Sequence, residues 1–147
     1  MPEMKYVVIS PAKDEAERIE RTICSMLRQT VRPVRWVIVD DGSSDDTPEI
    51  IKSYAKTVRW ISTIRVNRDA TRRIGSAEIR AFETGLRSVH DETFDVIVKL
   101  DCDLEFAPDY FERLLDRFEA DPDLGIASGV YLEKKGADWA DVVMPPY

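Results

Sequence analysis

The chain has 147 residues, 44% of them hydrophobic and 33% charged, with a formal net charge of −7. This length predicts a single domain, residues 1–147, with its own hydrophobic core, and the acidic balance argues against a general nucleic-acid-binding protein. No apolar run approaches the roughly 20 residues that a membrane-spanning helix needs, and the N-terminus does not resemble a signal peptide. We therefore expect a cytoplasmic protein without a transmembrane segment, or one attached peripherally to the cytoplasmic face of a membrane.

Apolar runs of two different periods alternate along the chain. In chain order they predict a strand at Lys5–Ser10, a helix at Asp14–Gln29, a strand at Arg35–Asp40, a helix opening at Thr47, a strand at Val58–Val66, a helix at Ile74–Val89, a strand at Phe94–Leu100, a helix opening at Pro108 and a strand at Gly125–Leu132. Asp14 and Glu17 form the D-x-x-E pattern of a capping box for the first helix. The βαβαβαβαβ order predicts an α/β fold with a mostly parallel sheet and helices on both faces.

Polar side chains follow the first four predicted strands, at the points where those strands end. In open sheets of this class, ligands bind outside the carboxyl ends of the strands. The loops in question are Pro11–Glu15, Asp40–Asp46, Asn67–Ser76 and Asp101–Glu105. We therefore expect their acidic and basic residues to converge on one crevice.

Two acidic residues, Asp101 and Asp103, come directly after the apolar fourth strand. Residues two apart on an extended chain point the same way, so these carboxylates can share one divalent cation. Magnesium and manganese bind oxygen ligands, usually one or two carboxylates together with substrate phosphates. The pair therefore predicts a metal site used with a phosphate-containing ligand.

The loop after the second strand is also strongly acidic. Gly42, Asp45 and Thr47 are typical of a turn followed by a helix cap. Asp40 and Asp41 lie where the strand opens into the predicted crevice, and a carboxylate there can accept hydrogen bonds from a nucleobase N–H or from ribose hydroxyls. This loop is therefore the predicted nucleoside end of the site.

Basic residues near the same crevice suit a phosphate group. The segment Asn67–Ser76 holds three arginines, Arg68, Arg72 and Arg73, and guanidinium groups bind phosphates bidentately. A solvated loop with local ion pairs is the equally weighted alternative. Arg80, on the following helix, is placed to reach a phosphate, and Lys99 is expected to neutralise Asp40 or Asp101.

Several common enzyme classes find little support in the sequence. His90 is the only histidine and is expected on the surface, so a catalytic triad is disfavoured. The first strand is not followed by a dinucleotide-binding or P-loop glycine pattern. Three tryptophans, Trp36, Trp60 and Trp139, are expected to be packing residues.

Three motifs together resemble glycosyltransferase family 2. Pro11-Ala12-Lys13-Asp14-Glu15 resembles the family's P-A-x-N-E opening, Val37–Thr47 (VIVDDGSSDDT) its second-strand motif, and Val98–Asp103 (VKLDCD) its D-x-D strand. The resemblance implies the GT-A fold, a Rossmann-like, mostly parallel sheet with helices on both faces. It also implies transfer of a sugar from a nucleotide-diphospho-sugar donor, a UDP- or GDP-sugar, with help from Mn²⁺ or Mg²⁺. The acceptor (a glycan, a lipid or a small molecule) stays open.

The resemblance also implies roles for individual residues. Asp41 would bind the base, uracil or guanine, with Asp40 supporting it; Asp101 would hold the ribose or sugar side, and Asp103 would ligate the metal. The expected nucleotide-sugar-binding residues are Pro11, Ala12, Glu15, Asp40, Asp41, Arg72, Arg73, Arg80 and Asp101, and the expected metal ligands are Asp101 and Asp103.

The chain departs from the family pattern in two places. Lys13 and Asp14 replace the usual aromatic residue and asparagine, which leaves the nucleobase open. Family members also continue past the predicted fifth strand into a region that binds acceptor and carries the catalytic base. We therefore expect this chain to be mainly the donor-binding half, with an unknown base, little transfer activity of its own and loose packing from Lys134 onward.

Two other functions share parts of this pattern. A nucleotidyltransferase would share the nucleotide chemistry but usually has a glycine-rich first loop, and Pro11–Glu15 has no glycine. A receiver-type signalling domain is also a parallel α/β sheet with acidic residues and a lysine after strands. Here the acidic pair follows the second strand and Lys99 precedes Asp101, which is the wrong order for a receiver domain.

Overall fold

Ten helices and strands follow one another in the computed structural model, which describes residues 2–67 and 77–141. They are β1 Tyr6–Ala12, α1 Ile19–Leu27, β2 Arg35–Asp40, α2 Thr47–Ala55, β3 Ile61–Arg65, α3 Ala77–Arg87, β4 Val96–Lys99, α4 Tyr110–Ala120, β5 Leu132–Lys135 and β6 Asp138–Asp141. The predicted alternation is confirmed through α4, and β2 has the predicted bounds.

The first four strands form one parallel sheet in the order β3-β2-β1-β4. Side chains alternate between its two faces. On one face Tyr6 and Val8 pack against α1, α2 and α4, and on the other Val7 and Ile9 pack against α3. Such a sheet, buried on both faces, explains why β1 and β2 are nearly continuous apolar runs. The predicted α/β class with helices on both faces is confirmed.

Helix α3 lies close to the sheet at Gly85. A Cβ atom at this position would stand 2.5 Å from Ile9 Cγ2 and 3.0 Å from Val39 Cγ2. The missing side chain therefore allows α3 to pack closely against the sheet.

The predicted start of α1 was wrong. The helix begins at Ile19, with Arg18 at the N-cap position, whereas the capping box would place its start at Asp14. Asp14 has a left-handed backbone (φ 53°), and its carboxylate accepts hydrogen bonds from Ser44 N (2.7 Å) and Ser44 Oγ (3.2 Å). The local capping pattern is thus overridden by a tertiary contact with the loop after β2.

The predicted fifth strand of the main sheet was also wrong. Residues 125–131 are irregular, and β5 pairs antiparallel with β6 in a separate two-stranded sheet. Gly129 N donates a hydrogen bond to Tyr110 Oη (3.1 Å), and a Cβ on Gly129 would lie 2.7 Å from the Tyr110 ring. This contact holds the segment against α4 instead of the edge of β4.

The region after α4 is loosely packed. This agrees with the expectation of loose packing from Lys134 onward, as far as Ala140, the last residue whose side chain is described. Every residue of β5 is exposed, and Ile126 is 88% and Trp139 66% exposed, so the packing role predicted for Trp139 was wrong. Trp36, in contrast, is fully buried and donates its indole N–H to Ser10 Oγ at 2.8 Å. Within residues 2–67 and 77–141, none of the helices has the length and apolar character needed to cross a bilayer.

Candidate functional site

The loops after β1 and β2 are tied together at the carboxyl edge of the sheet. Asp41 N donates a hydrogen bond to Ala12 O (2.8 Å), and Lys13 Nζ donates one to Gly42 O (3.1 Å). Glu15 N donates to Thr47 Oγ1 at 2.8 Å. Because β1 and β2 are neighbours in register, the first two of the three motifs quoted from the sequence form one structure.

Asp45, later in the second loop, makes structural contacts, as predicted, but the predicted cap at Thr47 is wrong, because the N-cap position of α2 is Asp46, without a side-chain cap hydrogen bond, and Thr47 is already the first helical residue. Asp45 Oδ1 accepts hydrogen bonds from Thr47 N (3.0 Å) and Thr47 Oγ1 (2.5 Å). Its other oxygen accepts one from Ala16 N at 3.0 Å. The hydrogen bonds from Thr47 lower the pKa of the Asp45 carboxyl, although burial acts in the opposite direction. Asp45 thus stabilises the start of α2 and the chain entering α1.

Asp40 is buried beneath the loop and not open to the crevice, being only 1% exposed. Its Oδ1 accepts a hydrogen bond from Ser43 N (2.9 Å), and its Oδ2 lies 3.2 Å from Arg65 Nη1. Arg65 Nη2 also donates to Ser43 O at 3.0 Å. Sequence reasoning missed Arg65, although it is the last residue of β3 and lies in register beside Asp40. The geometry gives Asp40 a supporting position behind Asp41.

Three of the expected nucleotide-binding residues lie together at this edge. Ala12 is 2% and Asp41 8% exposed, and Pro11 is half-buried beside them. Pro11 O also faces Cys102 Sγ at 3.6 Å, which connects this edge to the loop after β4.

The Asp101–Asp103 segment turns sharply after β4 ends at Lys99. Cys102, 3% exposed, points inward, and burial followed by the charge of nearby carboxylates raises the pKa of its thiol to about 12. Asp103 is exposed. The next residue, Leu104, is fixed to α1, because its N–H donates a hydrogen bond to the buried Thr22 Oγ1 (3.1 Å). A buried cysteine thus anchors a turn that presents an acidic residue on either side.

Glu15 lies close enough to this turn for its ionisation to be affected. Burial, and then the negative charges of Asp103, Asp45 and Asp101, raise the pKa of the Glu15 carboxyl, against the opposing effect of Arg18. Acidic residues from the β1 and β4 loops therefore converge, as the sequence predicted. These two strands are adjacent although they lie far apart in sequence.

The donor atoms at this turn suit a hard divalent cation that is shared with a phosphate ligand. Among residues 2–67 and 77–141, no cluster of three or more histidine, cysteine, aspartate or glutamate side chains is arranged to hold a metal alone. Asp101 and Asp103 provide carboxylate oxygens only, and Mg²⁺ characteristically binds one or two carboxylates plus substrate phosphates and water. The residues present therefore fit a hard divalent cation.

Lys99, which sequence analysis singled out, places a positive charge beside the acidic turn. Its Nζ lies 2.7 Å from Asp101 Oδ1 and 2.6 Å from Glu78 Oε1. Partial burial opposes its charge, but the hydrogen bonds to Asp101 and Glu78 prevail and raise the pKa of Lys99. The predicted ion pair between Lys99 and Asp101 is confirmed. Asp40, the other predicted partner of Lys99, pairs with Arg65 instead. Glu78 gave no sequence signal.

The predicted phosphate-binding arginines are only partly described. Arg80 lies in an exposed part of α3, whereas Arg68, Arg72 and Arg73 lie outside the described residues. His90 is exposed, as predicted.

An open groove of about 1730 Å³ runs from Asp101 and Asp103 along β4, and sequence analysis did not predict it. Its walls include α4 and the exposed apolar side chains of Ile126, Val130 and Trp139.

The family to which these motifs point is decided by comparison with known proteins. The sequence model described as Glycosyl transferase family 2 matches residues 7–142. The chain belongs to glycosyl transferase family 2. The match includes both tied loops and the acidic turn.

The named relatives of this family 2 chain include two enzymes whose names refer to lipid-linked sugars. Polyprenol monophosphomannose synthase from Mycolicibacterium smegmatis is 31% identical over 86% of the chain and 46% of its own length. Glucosyl-dolichyl phosphate glucuronosyltransferase from Haloferax volcanii is 26% identical over 92% of the chain and 39% of its own length. The chain thus spans less than half the length of these relatives.

Solved structures show that the family 2 chain has the GT-A fold. Mannosyltransferase PcManGT from Pyrobaculum calidifontis, solved with GDP-Man and Mn²⁺, is 27% identical, with a TM-score of 0.66 over 85% of the chain and 36% of that protein. TarS from Staphylococcus aureus (residues 1–349) is 18% identical, with a TM-score of 0.64 over 80% of the chain and 33% of that protein. The predicted GT-A fold is confirmed.

Proposed function

We propose that this chain binds the nucleotide-diphospho-sugar donor of a family 2 glycosyltransferase, which transfers the sugar to an acceptor. One observation carries the proposal: the loop that holds Asp41 and the turn that holds Asp101 and Asp103 flank the same strand, β1, at the carboxyl edge of the sheet. A nucleoside at the first and a diphosphate at the second would then lie side by side.

Each group of residues has a distinct role in this proposal. Asp41 accepts hydrogen bonds from the base or ribose, with Asp40 fixing its loop, and Pro11, Ala12 and Glu15 border the nucleotide. Asp103, of the D-x-D motif, binds Mn²⁺ or Mg²⁺, and Asp101 lies beside it. A bound divalent cation supplies charge stabilisation for the departing nucleoside diphosphate.

The arginines complete the proposed donor site. Arg80 and, in the undescribed segment, Arg72 and Arg73 are proposed to pair with phosphate oxygens, since a guanidinium forms charge-assisted hydrogen bonds with phosphate.

The relatives support a donor and an acceptor class. PcManGT was solved with GDP-Man and Mn²⁺, and TarS with UDP-GlcNAc, so both a GDP- and a UDP-sugar stay candidates for this chain. Two named relatives act in the formation of polyprenol- and dolichyl-phosphate sugars. We therefore favour a polyprenyl-type phosphate over a glycan or a small molecule as acceptor. A cytoplasmic location remains a prediction from the sequence.

Titration calorimetry with nucleoside diphosphates and their sugars, with and without Mn²⁺, tests this function. We expect GDP-Man or a UDP-sugar to bind more tightly with Mn²⁺, because the cation offsets charge between the acidic turn and the diphosphate. Equal affinity in excess chelator would contradict the metal role. Tighter binding of nucleoside triphosphates than of any nucleotide sugar would favour a nucleotidyltransferase instead.

Two variants test the residue assignments in the same titration. Asp103→Asn should remove most of the Mn²⁺-dependent gain in affinity, whereas the exposed Glu105→Gln, with the same change in charge two residues away, should keep it. Asp41→Ala should weaken nucleotide binding by about 1.5–3 kcal/mol, as expected for loss of a charged hydrogen-bond partner. An unchanged dissociation constant for every nucleotide would exclude the role of Asp41.

A further inference from the structure

Lys99 is shared between two carboxylates that belong to different elements. It lies at the end of β4, in register with Ile9, and Glu78 lies in the first turn of α3. Its ammonium is 2.7 Å from Asp101 Oδ1 and 2.6 Å from Glu78 Oε1. All three side chains are roughly half-exposed, at 44%, 46% and 55% for Lys99, Asp101 and Glu78. Of Lys99, Glu78 and Asp101, only Asp101 also belongs to the proposed metal site.

This arrangement affects the charge of the acidic turn before any ligand binds. An ammonium at hydrogen-bond distance offsets part of the charge of one carboxylate, here Asp101, which Lys99 contacts directly. Glu78 competes for the same ammonium and so reduces how completely Lys99 compensates Asp101.

We propose that Lys99 is a positioning residue that orients Asp101 and sets how strongly the acidic turn attracts a divalent cation. The inference rests on the proposed donor-binding function and deepens it. With Lys99 in place, Asp101 is held away from a cation that binds alone, so tight cation binding requires the diphosphate as well. Glu78 adjusts this balance from α3.

Removing the ammonium should shift two affinities in opposite directions. In Lys99→Met, Asp101 is released and the turn becomes more negative, so Mn²⁺ alone should bind about threefold or more tightly. GDP and UDP in the absence of metal should bind about threefold or more weakly, because an anion then meets an uncompensated carboxylate. Changes of this size are typical of partly exposed charges. A purely structural role for Lys99 would weaken both affinities together.

The experiment measures Mn²⁺ binding by electron paramagnetic resonance and nucleotide binding by calorimetry on the whole chain. Lys56→Met, which removes the same charge from the exposed end of α2, is the matched control and should leave both affinities near those of the unsubstituted chain. Lys99→Arg keeps the charge and should restore both. Equal shifts in Lys99→Met and Lys56→Met, or no restoration by Lys99→Arg, would overturn the inference.

A double-mutant cycle with the exposed Glu78 tests whether its effect passes through Lys99. Glu78→Gln should weaken Mn²⁺ binding, because Lys99 then pairs with Asp101 alone, and this effect should shrink in the Lys99→Met background. An equal effect in both backgrounds would overturn the inference while the proposed function stands. If the unsubstituted chain binds neither GDP, UDP nor their sugars with Mn²⁺, the proposed function fails and the inference fails with it.

Discussion

A buried carboxylate, Asp40, holds the loop that carries Asp41. A charge that is 1% exposed needs partners, and here they are Ser43 N and the Arg65 guanidinium. Because Arg65 is 46% exposed on its side chain, water screens the pair and its contribution to stability is smaller than that of a fully buried one.

Asp40→Asn should therefore destabilise the fold measurably. Asparagine keeps the size of the side chain but turns a charged acceptor into a neutral amide beside Arg65. We expect a loss of about 1–3 kcal/mol in the free energy of unfolding, the cost of a compromised buried hydrogen bond to a charged group, measured by urea denaturation. Asp46→Asn, on the exposed side of the same loop, is the control. Equal losses in the two variants would show that Asp40 does not support the loop.

Glu15 should make the stability of the chain depend on pH. Its pKa is raised in the folded state by burial and by the charges of Asp103, Asp45 and Asp101, so the folded chain binds this proton more tightly than the unfolded chain. Above the folded-state pKa of Glu15, its ionised carboxylate therefore destabilises the fold. This destabilisation disappears as the pH falls from the folded-state pKa to the lower pKa of the unfolded chain.

Glu15→Gln should accordingly raise the thermal unfolding midpoint at about pH 7 and lose this advantage near about pH 4. Paired unfolding scans at the two pH values measure the difference. Glu17→Gln, which changes an exposed glutamate two residues away, controls for the change in net charge. The same gain at both pH values would show that ionisation is not its cause.

Among the elements, α3 depends on the close approach at Gly85. Alanine in place of a helical glycine gains about 1 kcal/mol of intrinsic helix propensity. The added Cβ would stand 2.5 Å from Ile9 Cγ2 and 3.0 Å from Val39 Cγ2, and overpacking of a well-packed core costs about 1–3 kcal/mol. The steric term should prevail because both contacting groups are fully buried in the sheet.

We therefore expect Gly85→Ala to lower the unfolding midpoint in urea. Gly125→Ala is the matched control, because a Cβ there meets nothing within 4 Å, and it should leave the midpoint unchanged. A more stable Gly85→Ala chain would show that α3 can move away from the sheet at little cost.

The elements also show which features the sequence can predict. Arg35–Asp40 was predicted with the correct bounds because its buried apolar run ends abruptly at acidic residues, a purely local signal. The start of α1 was missed because the partner of Asp14, Ser44, lies far along the chain. Gly125–Leu132 has strand-like composition, but a strand also needs a pairing partner, and Gly129 is held by Tyr110 rather than by β4, the outermost strand of the sheet.

The candidate site likewise contains residues that the sequence could single out and residues that it could not. Asp41, Asp101 and Asp103 could be named as candidates because they directly follow or end apolar runs that the sequence marks as strands, and their roles stay predictions. Arg65 and Glu78 were missed because their importance depends on register and on the placement of α3. Pairing across a sheet becomes visible only when the strand order β3-β2-β1-β4 is known.

At the scale of the whole molecule, the tied loops and the acidic turn adjoin the buried core, whereas the groove beside β4 borders a loosely packed part of residues 77–141. Ile126, Val130 and Trp139 expose large apolar side chains there. The residues proposed to bind the donor therefore lie on a well-packed support, and the side of the proposed site towards the groove does not.

This asymmetry leads to our last prediction, that the 147 residues bind a nucleotide sugar but barely transfer the sugar. General base catalysis contributes roughly 10²–10⁴-fold, and correct positioning of the acceptor contributes further. Glu133 and Asp138, two carboxylates in the region after α4, lie exposed on the β5–β6 hairpin, where they lack the burial that tunes a catalytic acid or base. Transfer and donor-hydrolysis assays on this chain, beside a longer form if one exists, measure the difference. Comparable turnover by both would place the base within Met1–Tyr147.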